Sequence, residues 1–426
     1  MSDVIFDQVR ILDPASGRDE HAQLRISNGH IAEISNRVSV PSGAQIIHGE
    51  GKALIPGLID MMAFTGEPGF EHRETLATAS EAAARGGVTT MIVMPNTQPV
   101  IDDAALVDFI RRRARDTASV NIIPMAAITK GCDSDHLTEF GLLLEAGAVA
   151  FTNGDRAVMN ALTMRRALSY AANFNALIVH HAMDENLSRA GVMNEGELAT
   201  RLGLAGIPSC AETVMIDRDI RLVASTGGRY HLSQLSSAES LAVIADARRK
   251  GLAVTCGVSA NHLYLNENDV ENYRTFAKLN PPLRSEHDRQ ALIDALADGL
   301  IDVVVSAHNP QDADAKRQPF AQAADGSVGL ETLLTTLITI HHAENIDLLT
   351  LLKTVTAHPA AILNLDCGQI AEGKPADLCL VDLDAPWVID ADQLASKSQN
   401  AALDGRRVQG VVAATFVNGA CIYDAT

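Results

Sequence analysis

The sequence predicts an α/β protein: a (β/α)8 TIM-like barrel joined to a small β-sandwich domain that both chain termini build. From about residue 55 to about residue 350, short apolar runs alternate eight times with amphipathic helical runs. Outside that span the pattern changes to short alternating apolar and polar runs, as in strands with one covered face. A chain of 426 residues is long enough for one large domain and one smaller one. The expected division is a composite β domain of residues 1–54 plus 355–426, and a barrel of residues 55–354.

At the N-terminus, strands are predicted at 4–6, 9–12, 23–26 and 30–34, with Asn28-Gly29 as a hairpin turn. The first barrel strand is the apolar run Leu58-Ile59 with Asp60, set between Pro56-Gly57 and Pro68-Gly69 as a buried parallel strand should be. The other barrel strands are predicted at 90–94, 121–126, 148–151, 177–181, 230–232, 253–258 and 303–306. Helical runs between them include 74–85, 104–115 and 239–250. The C-terminus returns to strands at 377–382, 410–417 and 420–423, the last two joined by Asn418-Gly419.

Composition narrows the function classes. Apolar residues make up 47% of the chain, enough for a substantial core. Asp and Glu number 53 against 34 Lys and Arg, a net charge of −19, which argues against nucleic acid or an anionic membrane as partner. The six cysteines, Cys132, Cys210, Cys256, Cys367, Cys379 and Cys421, are scattered and form no Cys-x-x-Cys, so buried reduced thiols are expected. The first residues, Met1-Ser2-Asp3-Val4, have no basic region followed by an apolar core, and no apolar run reaches about 18 residues. A cytoplasmic protein is the expectation.

Several motifs stand in order along the chain. Asp60 is followed by Met62, Phe64, Gly66 and then Glu67-Pro68-Gly69. Next come Gly86-Gly87-Val88-Thr89-Thr90 with Met94-Pro95-Asn96-Thr97, and Asn280-Pro281-Pro282-Leu283-Arg284. Val328-Gly329-Leu330-Glu331-Thr332, Gly368-Gln369-Ile370-Ala371-Glu372-Gly373 and Ser396-Lys397-Ser398-Gln399-Asn400 complete the series. Together these resemble the dihydroorotases, in the cyclic amidohydrolase group of the amidohydrolase superfamily, over nearly the whole chain. The resemblance implies zinc, whose bound water attacks a ring amide at neutral pH, at the C-terminal ends of barrel strands.

It also implies which positions should carry that chemistry. The two zinc-binding histidines of the first strand correspond to Met62 and Phe64, and the arginine that holds the substrate carboxylate corresponds to Gly66. The bridging carboxylate corresponds to Asn153, with Asp155 two residues further on. His181 occupies a ligand position, and alternation along the strand turns His180 the other way. Gln234 and Ala307 stand at the remaining ligand and at the catalytic aspartate. Without zinc, converging carboxylates would be costly, and Asn153 and Ala307 avoid that repulsion. Asn96 and Asn280 fall at substrate-contact positions but are expected to cap loops. His181 is expected to be a hydrogen-bonded barrel histidine, and His72, His231, His262 and His308 to serve structural roles.

The expectation from these positions is a non-catalytic dihydroorotase-like protein with no zinc and no catalytic residue. The resemblance implies that such a chain partners the catalytic chain of aspartate transcarbamoylase and is itself at least a dimer. The alternative is an active dihydroorotase-like cyclic amidohydrolase with an atypical or single-metal site. A self-assembling structural protein is a third reading, against which the tail at 396–400 speaks.

Overall fold

The computed structural model describes residues 3–133 and 136–425. Both termini enter one eight-stranded sheet. Val4–Asp13, Arg18–Ser27, His30–Ser35, Gln45–His48 and Ala53–Pro56 come from the N-terminal side, and Leu378–Val388, Arg407–Val417 and Ala420–Asp424 from the C-terminal side. The seam is Ala53–Pro56, which runs parallel to Val4–Asp13 and antiparallel to Leu378–Val388. Both predicted hairpin turns form with left-handed backbone at each position: φ is 51° and 82° at Asn28 and Gly29, and 48° and 74° at Asn418 and Gly419. Phe6 and Phe416 meet edge to face in the core beneath, ring centroids 5.1 Å apart. In hydrogen-bond terms, then, the expected sandwich is a single sheet.

The middle of the chain holds two parallel sheets. Leu58–Ala63, Val88–Val93 and Asn121–Pro124 form one. Leu177–His180, Arg229–Leu232, Val254–Ser259 and Val303–Val305 form the other. The strand predicted at 148–151 is reduced to Phe151, which bridges Ala126 on one side and Ile178 on the other. The reason is that this segment divides its backbone bonds between both neighbours: Val149 N–H goes to Pro124 O and Phe151 N–H to Leu177 O. On the opposite side Ala63 bridges His308, and Phe64 N–H donates to His308 O at 2.8 Å. A continuous eight-stranded ring was expected; the pairing gives two sheets stitched by single bridges.

Helices cover the sheets where predicted, as Leu76–Arg85, Ala104–Thr117 and Ala238–Arg249. The first begins two residues later than the pattern suggested, because Thr75 caps it by accepting Thr78 N–H, which leaves Glu74 outside. Cys132, Cys256 and Cys379 are buried, and burial raises each thiol pKa. Cys210 and Cys421 are exposed, which corrects the expectation that the thiols would be buried. Among the described residues no helix is long and apolar enough to cross a membrane.

Candidate functional site

The ends of the parallel strands open into a cavity of about 550 Å3. Met62, Phe64, Asn96, Gln234, Asn280 and Ala307 all line it, so the topology does gather most of the positions singled out from sequence. Asn153 and His181 lie outside its lining and are buried.

Asp60 joins two strands at this end of the fold. It is fully buried, and it accepts Ser306 N–H at 3.1 Å as well as the Ser306 hydroxyl. It thereby ties Leu58–Ala63 to the end of Val303–Val305. Burial pushes its carboxyl up to about 6, against the pull of the two Ser306 donors. Glu67 is a second clamp: it accepts Leu76 N–H at 3.0 Å and the Arg113 Nε–H at 2.6 Å. The C-terminal segment supplies a third. Ser396 donates to Glu74, Ser398 Oγ–H donates to Arg73 O at 2.7 Å, and Asn400 Nδ2 donates to Asn309 O at 3.2 Å and to Gly326 O at 3.0 Å. The tail therefore lashes together the loops after the first and last barrel strands.

The positions matched to zinc ligands do not form a metal cage. Gln234 Nε2 rests 2.9 Å from Met62 Sδ, and Phe64 packs against Phe70. The Asn153 amide is fully engaged: its oxygen accepts from Ile128 N–H and Thr129 N–H, both at 3.1 Å, and its nitrogen donates to Thr129 Oγ1 at 2.9 Å. Ala307 offers no donor atom. Among the described residues no group of three or more His, Cys, Asp or Glu is arranged to hold a metal ion. The donor chemistry present does not fit the zinc set that the resemblance implies.

His181 corrects one expectation. Among the described residues neither ring nitrogen has a hydrogen bond of standard geometry, and Asn280 beside the ring acts on it only as a near-contact that raises its pKa. Burial pushes its pKa down to about 4, and the carboxylate of Asp155 pulls the other way. Asn96 corrects another. Asn96 does not cap a loop; it donates to Asp155 Oδ1 at 3.0 Å and leaves its own carbonyl oxygen unpaired. Asn280 lines the cavity beside His181.

The remaining histidines divide. His231 pairs with Thr255 Oγ1 at 2.8 Å. His262 Nδ1 faces Ser259 Oγ at 2.7 Å, and its Nε2 faces Pro281 O at 3.1 Å; these partners make it a loop fastener. His308 accepts Gly329 N–H at Nδ1, so Nε2 carries the proton and faces Glu74 Oε2 at 3.5 Å. His72 is exposed on a separate cavity wall, 3.8 Å from Asp312.

Arg73 was not legible as a site residue. Its Nε–H donates to Pro310 O and its Nη2–H to Asn309 Oδ1, both at 2.7 Å. Its guanidinium carbon lies 4.5 Å from the Phe64 ring centroid and 5.6 Å from that of Phe70. The arginine of the 280–284 motif is structural: Arg284 donates to Asn194 Oδ1 at 2.9 Å and to Ile207 O at 2.6 Å.

Comparison with known proteins fits this frame. The family model described as dihydro-orotase-like matches residues 51–240, and the amidohydrolase family model matches residues 298–423. The dihydroorotase of Anaplasma phagocytophilum is 40% identical over 99% of this chain and 95% of its own length. The chain belongs to the dihydroorotase family. The dihydroorotase of Geotalea daltonii is likewise 40% identical, over 97% of each chain. In fold, the L-hydantoinase (dihydropyrimidinase) of Arthrobacter aurescens superposes with a TM-score of 0.89 at 24% identity, covering 100% of this chain and 96% of that one.

These relatives correct the expectation of a non-catalytic scaffold. Proteins 38–41% identical over 97–99% of this chain carry the name dihydroorotase. The clamps at Asp60 and Glu67 and the contacts of the tail join the segments around the cavity.

Proposed function

We propose that this dihydroorotase-family chain acts on a cyclic amide of the dihydroorotate class through an atypical site. In ring opening, water adds to the ring carbonyl and the ring C–N bond breaks, giving a single ureido acid in which the former carbonyl carbon is a carboxylate and the former ring nitrogen ends the ureido group; ring closure is the reverse and releases that water. The observation that supports this reading most is the end-to-end identity of about 40% to proteins named dihydroorotase. The cavity adds polar groups suited to a small ring amide, with Asn96, Asn261 and Asn280 on its walls. We read the two parallel sheets as parts of one (β/α)8 barrel whose strand ends carry the site.

The proposal includes a site that works without the family's zinc set, since Met62, Phe64, Asn153, Gln234 and Ala307 supply no cage. The test is turnover of dihydroorotate, and of carbamoyl aspartate in the reverse direction, by purified protein before and after chelation, with elemental analysis alongside. Turnover that survives chelation is the expected result. No turnover in either direction, with or without added zinc, would overturn the reading. Zinc at about one per chain, lost with His181→Ala, would sink its metal-free part alone.

The same proposal carries a partner. Aspartate transcarbamoylase makes carbamoyl aspartate, the compound a dihydroorotase cyclises, and its catalytic chain is the partner the family resemblance implies, with this chain at least dimeric. Co-expression followed by light scattering tests it, and separate elution at micromolar concentration removes it.

A further inference from the structure

We infer that Arg73 is the anchor for an anionic group on the ligand, a carboxylate, in place of the arginine that this chain lacks at position 66. The inference takes the cyclic-amide reading as its starting point. No side chain fits at position 66. Gly66 has a φ of 72°, and a Cβ there would come within 2.7 Å of both Phe70 O and Glu74 O. The loop folds back on itself at that point, and the fold-back delivers Arg73 to the cavity wall.

The setting of Arg73 is that of a held cation with an open edge. Nε and Nη2 are fixed by Pro310 O and Asn309 Oδ1, while no protein acceptor engages Nη1 among the described residues. The face of the guanidinium lies over Phe64, with Phe70 beside it. No carboxylate among the described residues is within ion-pair distance; Asp155 and Asp312 act on Arg73 only through space. A fixed guanidinium that faces a cavity and lacks a counter-ion offers charge-assisted hydrogen bonds to a carboxylate. Phe64, at a position where the family places a zinc ligand, has a role of its own here as the platform under that cation.

The experiment is calorimetric titration of the full-length protein with two rings that differ by one carboxylate, dihydroorotate and dihydrouracil. The wild type is expected to bind dihydroorotate at least about tenfold more tightly. Arg73→Gln should weaken dihydroorotate by about 10–100-fold and leave dihydrouracil unchanged. Phe64→Leu keeps the site apolar but removes the ring, and should weaken dihydroorotate alone by about 2–5-fold. If Arg73→Gln loses its cooperative melt, Phe64→Leu and the wild-type ratio decide. Equal affinity for the two rings overturns the anchor and leaves the cyclic-amide reading standing. An equal loss on both rings in Arg73→Gln also overturns it, because that is the mark of a loop support. Binding of carbamoyl aspartate that depends on Arg73, without binding of either ring, keeps the anchor and refutes the cyclic-amide reading. Binding of none of the three refutes both.

Discussion

The ring of His180 points from its strand into the helix layer and has a partner at each nitrogen, whereas among the described residues no hydrogen bond of standard geometry reaches the ring nitrogens of His181, one residue on. His180 Nε2 accepts Val158 N–H at 2.9 Å, and Nδ1 meets Asp219 Oδ2 at 2.7 Å. Asp219 also accepts the Tyr230 hydroxyl at 2.8 Å and two Arg218 donors on its other oxygen. Burial alone would raise the Asp219 carboxyl, but His180 and Arg218 outweigh it and hold the pKa below the usual value. Both histidines are buried to the same degree, so burial does not distinguish them. Partnership does. The outward face of the strand is built for stability, and the inward face retains a polar group that the fold itself does not use.

The largest effect expected from breaking this contrast is at Asp219. Asp219→Ala removes the partner of two Arg218 donors, of the Tyr230 hydroxyl and of His180 Nδ1, leaving Arg218 only its bond to Met159 O. Removal of one partner from a buried charged network costs about 3–5 kcal/mol. Chemical denaturation at neutral pH should show a loss of that size, and a loss below about 1 kcal/mol would mean that the network contributes little.

The second effect is on pH dependence. His181 has an ordinary pKa of 6.5 and is pushed to about 4 in the fold by burial. The unfolded chain therefore takes up a proton below about pH 6.5 that the folded chain refuses until about pH 4. The stability due to neutral His181 is complete above 6.5 and is lost as pH falls through that window, by at most about 1.4 kcal/mol per pH unit. His231, pushed to about 3, and His262, pushed to about 4, act in the same direction. Asp60, raised to about 6, and Glu331, raised to about 7, act in the opposite one, because the folded state holds their protons more tightly. The total slope is a competition, and the difference between wild type and His181→Leu isolates one member. The variant should gain on the wild type as pH falls from 6.5 to 4. A flat difference would mean that folded His181 already binds its proton in that range.

The two faces also differ in how far they could be read from the sequence. Alternation sets His180 against His181, and the Asn-Gly pairs mark their turns, because both depend on local backbone geometry. Asp60 stood out as part of a motif, but its role as a tie to Ser306 depends on two segments about 246 positions apart. Arg73 was invisible for the same reason. Nothing in its neighbours shows that Phe64 and Phe70 will flank it or that Pro310 and Asn309 will hold it. Asn153 was read as a neutralised ligand, whereas the structure shows a side chain that staples Ile128 and Thr129. Ligand positions were legible one residue at a time, and the replacements for them were not.

The smallest effect expected is also the sharpest test of the comparison. At pH 7 and above, His181→Leu removes two buried nitrogens that have no hydrogen bond of standard geometry among the described residues and puts a side chain of similar volume in their place. The cost of burying an unpaired polar group disappears, and the packing changes little, so stability should shift by less than about 1 kcal/mol in either direction. His180→Leu is the control. It removes one donor from Asp219 and leaves Val158 N–H without its acceptor, and should cost several times more. Equal losses at the two positions would mean that His181 has a partner in solution, and a drop of about 3 kcal/mol at His181 that vanishes on chelation would identify that partner as a metal. A near-zero change at His181 beside a large one at His180 would leave the His181 ring without a structural role in the fold.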